Sequence, residues 1–78
     1  MKDKEYTFEV VLDGTTIDKA REALSNLGCV DPTFGFCDGR VVLTFTRRST
    51  SANDAVASAN RAVRAAGLSI FQTIQTEA

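Results

Sequence analysis

A single dipeptide, Asp38-Gly39, constrains this chain more than any other feature. It stands between two apolar runs, and a two-residue Asp-Gly connection fits a type I′ turn, whose central positions both need φ > 0. With a turn that tight, position 37 pairs with 40 and the register steps outward. Phe36 then faces Val41, Phe34 faces Leu43, and Pro32 meets Phe45. One side of this hairpin, which runs from Asp31 to Arg47, is aromatic and branched. The other side, Thr33, Gly35 and Cys37 against Arg40, Val42 and Thr44, is small or polar. The hairpin has one face to bury and one left open, and the remaining chain must cover the first. Pro32 has no N–H to give a ladder, which puts the strand carrying Phe34 and Phe36 at a sheet edge.

The flanking segments supply that cover. Glu5 to Leu12 alternates, with Tyr6, Phe8, Val10 and Leu12 pointing one way and Thr7, Glu9 and Val11 the other. Thr15 followed by Asp18 reads as a capping box opening a helix with a stripe of Ile17, Ala20, Leu24 and Leu27, and Gly28 stops it. Lys19, Arg21, Glu22 and Ser25 take the wet side. After the hairpin, Ser51 with Asp54 opens a second helix, Ala52 to Ala66, whose stripe of Ala55, Val56, Ala59, Ala62, Val63 and Ala66 is small enough for close packing. Gly67 ends it, and Leu68 to Gln75 forms a last strand. Leu68, Ile70 and Ile74 share one face there, Gln72 interrupts it, and Phe71 falls on the other face unless a bulge shifts the register.

The order β-α-β-β-α-β predicts one α+β domain over residues 1–78: a ferredoxin-like sandwich with a four-stranded antiparallel sheet in the order 4-1-3-2 and both helices on one face. Phe8, Val10, Leu24, Phe34, Leu43, Phe45 and Val63 are the expected core. At 78 residues that core has little margin, since a chain this short buries only about 60–65% of its unfolded surface.

Composition removes most chemistry. There is no histidine, so Ser-His and Cys-His pairs, histidine bases and histidine metal sites are impossible. The glycines are isolated, so none builds a phosphate loop. Cys29 and Cys37, near opposite ends of one expected strand, are too far apart for a disulfide and read as small buried or half-buried hydrophobes. Asp13, Asp18, Glu22, Asp31 and Asp38 fall on caps and turns, where local hydrogen bonding accounts for them. The expectation is no enzyme and no cofactor. A formal net charge of −1 gives no global pull toward nucleic acid or anionic lipid. With no long apolar run and no signal-peptide pattern, a cytoplasmic location without membrane attachment is expected.

Three surfaces remain. The open sheet face offers Glu9, Val11, Val42, Thr44 and Phe71 to a partner protein or a second copy. It lacks the aromatic platform on the central strands with which RNA-recognition modules stack bases. Arg47, Arg48, Arg61 and Arg64 form a basic set that would contact an anion or nucleic acid, a reading secondary to ordinary solvated arginines. The two edge strands could each be extended by a partner strand.

The string Gly28-Cys29-x-Asp31-x-Thr33-Phe34-Gly35, then Asp38-Gly39, Phe45-x-Arg47, Ser51-x-x-Asp54-Ala55-Val56-x-Ser58-Ala59 and Ala66-Gly67-Leu68, resembles the N-terminal domain of small, mostly uncharacterised bacterial helix-turn-helix proteins, some of them antitoxin-like. In that family a DNA-binding helix-turn-helix follows the last strand; here the sequence stops at Ala78. The resemblance implies a free-standing relative, of phage or other mobile origin, or an excised domain. The expected function is a non-enzymatic, homodimeric protein-interaction module that blocks a partner, as an antitoxin or a phage-encoded inhibitor would. The alternatives are a nucleic-acid-contacting regulator using the four arginines and, by fold analogy, a small-ligand sensor.

Overall fold

In a computed structural model, which describes residues 3–29 and 32–75, the elements follow the expected order. They are β1 (Lys4–Asp13), α1 (Ile17–Asn26), β2 (Thr33–Cys37), β3 (Arg40–Ser49), α2 (Ala52–Ala65) and β4 (Ser69–Gln75). The reading of Asp31 as a turn residue lies outside the described residues. All strand pairs are antiparallel, in the order β2-β3-β1-β4, which is the expected order read from the other edge.

The Asp38-Gly39 turn closes as its chemistry requires, with φ of 52° and 79°. Cys37 pairs with Arg40, Phe36 with Val41 and Phe34 with Leu43. The ladder stops at Thr33 opposite Thr44, so Pro32 precedes the strand, where its missing N–H costs nothing. β2 is an edge, as the proline implies.

Both helices contribute to one core. Phe8, Val10 and Leu12 of β1, Val41, Leu43 and Phe45 of β3, Ala20 and Leu24 of α1, and Ala59 and Val63 of α2 are all fully buried. Phe8 and Phe45 pair directly across the two central strands with ring centroids 5.5 Å apart and planes 16° from parallel. Ala55, Ala59 and Val63 of α2 are buried in this core, so the small-residue stripe faces inward as expected.

Four expectations about this side of the sheet need correction. Phe34 is only half-buried: it sits on the edge strand, and the guanidinium of Arg21, 5.3 Å from its ring centre, takes the place of further core. Phe36 has the expected partner but is 62% exposed, because a ten-residue α1 does not reach over the tip of the hairpin. Leu27 is 51% exposed, since it is the C-cap of α1 and has left the helical stripe. The N-cap of α1 is Thr16, which accepts from the Lys19 backbone N–H at 3.2 Å, not Thr15. Ser51 caps α2 as expected, accepting from the Asp54 N–H at 3.1 Å. Both helices end in Schellman motifs. The N–H of Cys29 reaches Leu24 and that of Leu68 reaches Val63, with Gly28 and Gly67 at φ of 77° and 81°.

The cysteine reading holds for one of the two. Cys29 is half-buried as expected, though it lies before the strand, with Arg47 Nη2 3.7 Å from its sulfur, whereas Cys37 is exposed at the end of β2.

Candidate functional site

With both helices packed on one side, the other side of the sheet has no described element over it. The strand pairing gives its layout directly. Across the sheet, Gly35, Val42, Val11 and Gln72 form one row, and Thr33, Thr44, Glu9 and Ile74 the next. Beyond them lie Thr46 and Thr7, whose hydroxyls are 3.3 Å apart, then Arg48 opposite Glu5. All five residues expected on this face, Glu9, Val11, Val42, Thr44 and Phe71, line one shallow hollow of about 410 Å³.

The puzzle of Phe71 resolves as a bulge. Val11 pairs with Gln72 and Leu12 with Ile70, so Phe71 is the inserted residue. Everything after it changes sides. Gln72 no longer interrupts the core face, Thr73 turns inward to reach Asn60 of α2 at 3.4 Å, and Ile74 joins the open face. Grouping Ile74 with Leu68 and Ile70 is therefore wrong beyond position 71. The open face gains an apolar residue, leaving Phe71 52% and Ile74 38% exposed beside Val11 and Val42.

Arg40 organises this hollow. Its guanidinium carbon lies 3.8 Å from the centre of the Phe71 ring, and its Nε is 3.6 Å from the carboxylate of Asp13. The Nε atom is sealed from solvent with no hydrogen-bond partner in range, so the ion pair and the ring are the contacts that offset its burial. Parity in the sequence puts Arg40 on this face, but its contact with Phe71 follows only from the strand order and the register of β4 against β1. Arginine and aromatic side chains are among the types enriched at the centre of protein interfaces.

The four arginines of the basic set do not form one patch. Arg47 pairs with Tyr6 and turns toward the helices, where it donates to Ser58 Oγ at 3.0 Å and lies 5.0 Å from the centre of the Phe45 ring. Arg48 pairs with Glu5 and is exposed on the open face. Adjacent strand residues alternate faces, so the pair is split by geometry. Arg61 and Arg64 line a separate hollow of about 600 Å³ between α2 and β4, with Asn53, Asn60, Thr73 and Gln75.

No helix among the described residues is long and apolar enough to cross a membrane. Compared with protein-family models, curated proteins and solved structures, the chain matches none.

Proposed function

We propose that this is a non-enzymatic protein-interaction module with the ferredoxin-like arrangement of its sheet and helices, and that it works by laying its open sheet face on another protein. The observation that carries this reading is the cluster of Val11, Val42, Phe71 and Ile74 around Arg40, which is itself fixed between Phe71 and Asp13. An arginine already stacked on an aromatic ring has less side-chain freedom to lose on binding than one extended into water. A protein acting this way blocks the surface it covers, the mode of an antitoxin or of an inhibitor encoded by a phage, in keeping with the resemblance on its turn and cap residues. The nucleic-acid reading has less support, since its four arginines lie on three separate surfaces.

The test compares Val42→Asp with Arg64→Glu. Capture of a partner from the native host is expected to be lost in the first and kept in the second. Binding to generic DNA or RNA that falls steeply with salt, and that Arg64→Glu abolishes, would move the assignment to the arginines.

A further inference from the structure

Gly35 has no explanation within its own chain. It sits in the middle of β2, where glycine weakens a strand and packs nothing. Its φ is not in the positive region that favours glycine, and a Cβ built there meets only the Val42 carbonyl oxygen at an ordinary 3.8 Å. The fold tolerates a side chain at this position. The register runs unbroken through Gly35, so it marks no bulge, and close approach of another group is the remaining common use of a mid-strand glycine; the space above it opens into the hollow lined by Val42 and Phe71.

The charges on the same face indicate what approaches. On β3 the open positions run Arg40, Val42, Thr44, Thr46 and Arg48; on β1 they run Glu5, Thr7, Glu9, Val11 and Asp13. One strand is cationic at both ends, its neighbour anionic at both ends, and each carries a valine one place in from the Arg40 and Asp13 end. A two-fold axis parallel to the strands and midway between β1 and β3 places each strand over the other in a second copy. Arg40 then lies over Asp13 and Val42 over Val11, each contact occurring twice as an isologous interface demands. The same rotation carries β4 onto β2, so that Phe71 of one copy enters the slot that Gly35 leaves in the other.

We infer that the open face pairs with a second copy of this chain about that axis, with Gly35 as the socket for Phe71. The inference rests on the reading of this face as an interaction surface and gives its resting occupant, a second copy that a partner protein displaces. Four strands spaced about 4.8 Å apart, rising about 3.3 Å per residue, give a flat footprint near 500 Å² per copy. Two copies therefore cover roughly 1,000 Å², the floor for a specific interface, so the dimer is expected to be weak and concentration-dependent. Packed sheets cross at about 30°, so the match is best near Val42 and Arg40 and loosens toward Arg48.

The experiment is sedimentation velocity across the micromolar range on wild type, Gly35→Val, Arg40→Glu and Asp13→Arg, each checked for folding by circular dichroism. Wild type is expected to shift from the mass of one chain to that of two. Gly35→Val, which fills the socket with a strand-favouring residue, should keep or raise its melting temperature and stay monomeric. Arg40→Glu and Asp13→Arg should each be monomeric alone, because each places like charges together twice. An equimolar mixture of the two should recover the dimer, since every pair across the interface is again opposite. A wild type that remains monomeric, a Gly35→Val protein that still dimerises, or a mixture that fails to recover overturns the self-pairing. If that happens while Val42→Asp still loses a captured host partner, the interaction surface stands and only its occupant changes.

Discussion

The two faces of this sheet are built from the same strands, yet they follow different rules. On the covered face, Phe8, Val10 and Leu12 of β1 and Val41, Leu43 and Phe45 of β3 are fully buried, and each has a partner across the strands or on a helix. On the open face, Val11, Val42, Phe71 and Ile74 stay in contact with solvent, around an arginine clamped between an aromatic ring and a carboxylate. The first face is accounted for by folding. The second holds apolar side chains and a socket-forming glycine that folding does not require. Residues that add nothing to the stability of a single chain are where its contact with another protein is to be sought.

Stability measurements can break this contrast. The largest effect belongs to Phe45→Ala, which removes a stacked, fully buried ring. It should cost about 3–5 kcal/mol in a denaturant titration, enough to unfold a domain this small. Arg47→Ala comes next. Its guanidinium ties β3 to Ser58 of α2 and to the sulfur of Cys29, so its loss should lower the free energy of unfolding by about 1–2 kcal/mol. Ser51→Ala deletes the cap of α2 and should cost about 1 kcal/mol, read from the same titration. Val42→Thr, on the open face of a central strand, should change stability by less than about 0.5 kcal/mol at concentrations where the chain is monomeric. A large loss from Val42→Thr would mean that the open face contributes to the fold, and the contrast would fail.

The same division marks how far sequence patterns reach. The hairpin, its register and its edge position follow from Asp38-Gly39 and Pro32, because a two-residue turn and a missing N–H each allow few arrangements. Phe8, Leu43 and Phe45 could be placed in the core by parity alone. Parity fails at Phe71, where one inserted residue reverses every later side chain and carries Ile74 to the other face. It also fails at hairpin tips and helix ends, where Phe36 and Leu27 have the right phase but nothing above them. The choice between Thr15 and Thr16 as cap is set by backbone angles that two adjacent threonines do not reveal. The hairpin expected from the sequence stops at Arg47, which hides the division of Arg47 from Arg48; β3 runs on to Ser49, and consecutive strand residues diverge. Parity puts Arg40 on the open face, but its contact with Phe71 follows only from the strand order and the register of β4.

The most direct measurement is an amide NMR dilution series on the wild-type chain. Concentration-dependent shifts should gather on Gly35, Val42, Val11 and Phe71 and leave the outer surfaces of α1 and α2 unmoved. Shifts confined to the helices, or none up to the solubility limit, would contradict the account.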